Sequence, residues 1–118
     1  MTYDPNNIFA KILRGEIPCN KVYEDDFALS FHDINPQAPI HVLVIPRGPY
    51  VSMTDFSAKA SSEEITGFFR AVDKVITKLN LDKDGYRILA NTGLHGGQEV
   101  PHLHFHIFAG KQLGRMLI

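Results

Sequence analysis

The chain has 118 residues, 44% of them hydrophobic, and 12 Lys and Arg set against 13 Asp and Glu for a formal net charge of -1. That length suits one domain, residues 1–118, burying about two thirds of its unfolded surface around one core. Neither charge sign is gathered into a block, which argues against a nucleic-acid partner, since phosphates need a basic stripe. The lone Cys19 allows no internal disulfide, no apolar run approaches the roughly 18 residues of a membrane span, and no leader-like segment opens the chain, so a soluble cytoplasmic protein with no membrane partner is expected.

Residues 1–7 read as a polar lead-in whose Asn6 or Asn7 caps a short helix carrying Ile8, Phe9, Ile12 and Leu13, with Gly15 as its stop. Pro18 then forces extended chain. Val22 with Tyr23, and Ala28 to Phe31, flank the acidic turn Glu24-Asp25-Asp26 and predict a hairpin. Beyond the breaker Asn35-Pro36-Gln37-Ala38-Pro39, His41 to Ile45 is a nearly continuous apolar run suited to a central strand. The segment near Asp55 to Lys59 is expected to be irregular. Ser61 and Glu64 have the spacing of a capping box, and Ile65, Phe68, Phe69, Val72, Val75, Ile76 and Leu79 repeat at three and four residues behind them, which predicts the main helix. Asp82, Asp84 and Gly85 turn the chain, Tyr86 to Ala90 predicts another strand, and a loop with Gly93, Gly96 and Gly97 leads into the last one. Short connections and one long helix imply an α+β fold: a mostly antiparallel five-stranded sheet with helices on one face, the other face being shared by a ligand and a partner subunit.

The last strand carries the chemistry. His102, His104 and His106 recur at every second position with Leu103, Phe105 and Ile107 between them, so the imidazoles share one face and the apolar residues the other. A neutral imidazole can attack phosphorus at pH 7, splitting one hard substitution into two easier ones. The anionic oxygens then need Mg²⁺ or fixed hydrogen-bond donors. Donors are at hand in the Asn91 and Gln98 side chains, the backbone N–H groups from Gly93 to Gly97, and the imidazole of His102 or His106. The competing reading is a zinc or copper site, because two histidines two apart on a strand can share a metal. Only Glu99 supplies a nearby carboxylate, so metal-free phosphoryl chemistry, with no metal and no cofactor, fits better. Asp33 reads as a turn residue or helix cap, and His32 and His95 as surface or rim residues.

Gly97-Gln98-Glu99-Val100-Pro101-His102-Leu103-His104-Phe105-His106-Ile107-Phe108 resembles the signature of the histidine-triad family. Phe31-His32-Asp33-Ile34, the run Pro36 to Pro46, Ile8-Phe9 through Pro18, and Tyr23-Glu24-Asp25 are similar to its upstream parts, and the size points to the branch of histidine triad nucleotide-binding proteins. The resemblance implies a homodimer with the sheet continued between subunits, and a purine nucleoside phosphoramidase that releases AMP or GMP through a covalent nucleotidyl-histidine. It implies His104 as nucleophile, His106 at the phosphate, and His102 and His41 completing the catalytic cluster. It implies Asp33 at the ribose hydroxyls, Ile8, Phe9, Ile12, Phe31 and Ile34 as the slot for the base, and Asn91, Gly97, Gln98 and Glu99 on the phosphate side. Glu99 stands where many members have Ser or Thr, the Cys-x-x-Cys of zinc-binding relatives is missing, and the tail from Lys111 lacks the usual Trp-Pro-Pro. A dinucleoside polyphosphate hydrolase, a non-catalytic nucleotide-binding scaffold and a metal-dependent hydrolase are the alternatives.

Overall fold

A computed structural model describes residues 2–117. In chain order the elements are α1 (Ile8–Leu13), β1 (Lys21–Glu24), β2 (Ala28–His32), β3 (Ile40–Pro46), α2 (Met53–Lys59), α3 (Ser62–Lys78), β4 (Arg87–Leu89), α4 (Gly93–Gly96) and β5 (Phe105–Ala109). The strands form one antiparallel sheet in the order β1-β2-β3-β5-β4, with β3 in the centre as its apolar run predicts. No described helix is long and apolar enough to cross a membrane.

Period-two alternation in β3 sorts the interior into two layers. Val42 and Val44 point to the face covered by α3, where they meet Phe68, Val72, Val75, Leu103, Phe105 and Ile107. Burial of each large apolar side chain there stabilises the fold by about 1.5–3 kcal/mol. The Ser61–Glu64 capping box closes in both directions and starts α3. Tyr50 donates to the same Glu64 carboxylate at 2.7 Å, and burial together with this bond pushes its hydroxyl up to about 12.

Leu43 and Ile45 point to the opposite face, where with Leu29 and Phe31 they are covered by Phe9 of α1. Helices therefore lie on both faces, not on one. A six-residue helix has too little periodicity to reveal which layer it joins. The Asn7 carboxamide fixes its start, accepting from the Ala10 N–H at 2.9 Å and donating to the Asp4 carbonyl at 2.7 Å. The stretch expected to be irregular near Asp55 is helix α2, capped by Ser52 and driven inward by Phe56, which is 1% exposed. The glycine loop likewise contains one helical turn, α4, ended by Gly97 in the left-handed region at φ 71°.

Candidate active site

The strand register assembles the site. His41 on β3 pairs with Phe108 on β5, and Leu43 pairs with His106, so His41 and His106 are diagonal neighbours on the α1 face. His41 Nε2 lies 2.9 Å from His106 Nδ1 and 3.4 Å from an Asp33 carboxylate oxygen. Asp33 follows β2, and its other oxygen accepts the Asn35 N–H at 2.8 Å, so the residue serves as a turn former while also facing the histidines. His102 and His104 precede β5 rather than lying within it. His102 is fully buried behind the cleft instead of sharing an open face with the others.

Hydrogen-bond partners assign each imidazole tautomer. A carbonyl oxygen can only accept, so His104 donates from Nδ1 to the His102 carbonyl at 2.7 Å, and its Nε2 keeps the lone pair. His102 donates from Nε2 to the Pro46 carbonyl at 2.9 Å and accepts the Tyr3 hydroxyl proton at Nδ1 at 2.7 Å. The Gln37 N–H donates to His41 Nδ1 at 3.1 Å, so His41 donates from Nε2 to His106 Nδ1. His106 is left with an N–H at Nε2 to offer a ligand.

Burial keeps these rings neutral. It pushes His102 and His106 down to about 4, against the carbonyl of Pro46 in the first case and with the neighbouring His104 and His41 in the second. His104 and His41 are also lowered, again by burial first, with Asp33 pulling both back up. Phe9 meets His104 edge-on at 4.9 Å between centroids. Phe108 lies 3° from parallel with His106 and 4.2 Å from His41. These aromatic walls shield the rings from water on the sides they cover.

Asp33, His41 and His106 bring one ligand-type atom each within 4.8 Å of one another, a set that could hold a metal ion. Ligation through His41 Nε2 would move its proton to Nδ1, where the Gln37 N–H already points. The hydrogen bonds thus suit a chain of shared protons better than a metal centre.

His104 and His106 open into a cleft of about 690 Å³. Ile8, Phe9, Ile12, Phe31, Asp33, Ile34, Asn91, Gly97 and Glu99 line it as well, and among the described residues its formally charged side chains are Asp33 and Glu99. Ile34 stands 97% exposed at the rim. Gln98 does not line the cleft: its amide nitrogen donates to the Val51 and Val100 carbonyls and its oxygen accepts the Gly93 N–H. Asn91 spends its amide nitrogen on the Gly96 carbonyl, and the Gly97 N–H is used by Leu94. Fewer loop donors therefore face a ligand than the glycine spacing suggests. Sequence reading gave no role to Tyr3, Gln37 or Phe108. Only Phe108 carried a signal, the even-numbered parity it shares with the histidines.

Residues 14–113 match the family model described as HIT domain. The chain belongs to the HIT family. It is 63% identical over 116 residues to an uncharacterized 13.2 kDa HIT-like protein of Azospirillum brasilense, covering 98% of this chain and 95% of that one. It is 43% identical over 110 residues to a protein of Escherichia coli K12 named purine nucleoside phosphoramidase, covering 93% and 92%. Among solved structures, a histidine triad protein from Clostridium difficile superposes with a TM-score of 0.83 at 42% identity, over 97% of this chain and 98% of that one. The α+β fold with its five-stranded antiparallel sheet is thus the HIT fold, and HIT membership accounts for the alternating histidines.

Proposed function

We propose that this HIT protein is a nucleotide-binding hydrolase that cleaves the phosphorus–nitrogen bond of purine nucleoside 5′-phosphoramidates and releases AMP or GMP. The observation that carries the reading is the 2.7 Å bond from His104 Nδ1 to the His102 carbonyl, which leaves His104 Nε2 unprotonated in a ring that lines the cleft. Its relatives, one of them named purine nucleoside phosphoramidase, support a hydrolase of this kind.

In the first step the His104 Nε2 lone pair forms a bond to phosphorus while the bond to the amine breaks, and the amine departs with a proton taken from solvent water in the open cleft. The His106 Nε2–H, held in that tautomer by His41, donates to a phosphoryl oxygen as charge builds. In the second step water attacks phosphorus and gives up one proton to solvent, replacing the one taken by the amine, the bond to His104 breaks, and the nucleoside monophosphate leaves with the neutral imidazole restored. Ile8, Phe9, Ile12, Phe31 and Ile34 take the base, and Asp33 accepts from the ribose hydroxyls. Asn91, Gly97 and Glu99 flank the phosphate, and His102 and His41 orient the reacting pair. Gln98 acts through the loop that it braces. A cleft with two carboxylates favours an amine leaving group over a polyphosphate chain, which sets the phosphoramidase above a dinucleoside polyphosphate hydrolase.

We also propose a homodimer: β4 is an edge strand with Ile88 38% exposed, a surface that a second sheet would cover. The deciding experiment measures AMP release from adenosine 5′-phosphoramidate in excess EDTA, with His104→Ala in parallel and intact-mass detection of a nucleotidyl adduct. Release and adduct in the parent but not the variant are expected. Full turnover in His104→Ala would overturn the proposal.

A further inference from the structure

His102 is the one imidazole of the triad that does not reach the cleft, yet it is 0% exposed and bonded at both ring nitrogens. A buried ring so fully satisfied is rigid, and its own carbonyl is the acceptor that sets the tautomer of His104. Only one of its two ring partners is a side chain. That partner is Tyr3, 99 residues away in the chain, whose hydroxyl sits 2.7 Å from Nδ1 and whose ring meets the imidazole edge-on at 5.6 Å.

Tyr3 is itself held by a built turn. The Asp4 carboxylate accepts the Asn6 N–H at 2.9 Å, the Asp4 carbonyl accepts from both the backbone and the side chain of Asn7, and Arg14 donates to the Pro5 carbonyl at 2.8 Å. The segment before α1 is therefore tied to the same helix that walls the cleft.

We propose that Tyr3 is a positioning residue of the HIT site, its hydroxyl locking the His102 ring so that the His102 carbonyl holds His104 with Nε2 free. Tyr3 does not touch substrate. Without its proton, His102 Nδ1 loses its donor, the ring can turn away from the Pro46 carbonyl, and the acceptor beneath His104 loosens. His104 then samples the tautomer in which Nε2 carries the proton and cannot attack. A packing role alone would be served equally well by phenylalanine.

This inference rests on the nucleophile assigned to His104, and the test separates the two. Tyr3→Phe and Tyr3→Ala are compared with the parent by ¹⁵N resonances of the imidazoles and by phosphoramidate hydrolysis. In both variants the His102 Nδ1 resonance is expected to move downfield, and the two His104 nitrogens to move toward each other as tautomers mix. Turnover is expected to show kcat lower by about 5-fold, the worth of one hydrogen bond, at nearly unchanged KM. His104 resonances identical to the parent in Tyr3→Phe would overturn the proposal, as would a Tyr3→Phe variant with parental kcat. A parent protein that releases no AMP defeats the proposed function, and the resonances still decide the role of Tyr3.

Discussion

His41 Nε2 lies 2.9 Å from His106 Nδ1, and the Gln37 N–H at His41 Nδ1 determines which ring donates. A backbone amide thereby sets the proton on His106 Nε2, two rings away. His41→Ala removes the donor and lets His106 take either tautomer, so kcat is expected to fall by roughly 10- to 100-fold. Steady-state kinetics check this, and KM for the nucleotide should change little because His41 does not line the cleft.

Asp33 faces His41 at 3.4 Å and lines the cleft. The proposed role of its carboxylate, accepting from a ribose diol, predicts that Asp33→Ala weakens nucleoside monophosphate binding by about 1.5–3 kcal/mol. Calorimetric titration measures the loss. A 2′,3′-dideoxy nucleotide should bind the parent as weakly as the ribonucleotide binds the variant.

Acid should destabilise the fold through its buried imidazoles. His102 and His106 are held down to about 4, whereas in the unfolded chain they titrate near 6.5. Between those values the unfolded chain binds the protons, so stability is level above about pH 6.5 and is lost as pH falls toward 4. For the fully buried His102 the loss is on the order of 3 kcal/mol. Urea midpoints from pH 7.5 to 4 read it directly, and a midpoint unchanged down to pH 4.5 would contradict it.

Gly67 is buried in the middle of α3, and a Cβ built there would sit 2.3 Å from Cγ of Phe27. Gly67→Ala gains up to about 1 kcal/mol of helix propensity, yet it forces the root of an aromatic ring to move, at a cost of about 1–3 kcal/mol. The net expectation is a Tm lower by about 3–6 °C, measurable by calorimetry. A raised Tm would mean that the ring yields freely.

Local rules made much of this molecule readable from its residues. The Ser61–Glu64 box and the stripe behind it placed α3, and the period-two spacing of the histidines brought His104 and His106 to one side of the chain, although it placed His102 there too, which the structure buries behind the cleft. Tyr3 was opaque because its partner is distant in sequence and nothing around it repeats. A carboxamide in a loop has no directional signal either, so Gln98 read as a ligand donor although it braces Gly93 against Val51 and Val100. Phe56 lies in α2, a helix of only seven residues, and presents no period to read.

Among the described residues the formally charged side chains of the cleft are Asp33 and Glu99, set beside the imidazoles of His104 and His106, which burial keeps neutral. Its field opposes the approach of a nucleotide rather than guiding it. Added electrolyte, which shortens the Debye length to about 10 Å at 0.1 M, shields the ligand from those carboxylates. Nucleotide capture should therefore speed up with ionic strength, the reverse of what a lysine- or arginine-lined phosphate site would show in stopped-flow mixing.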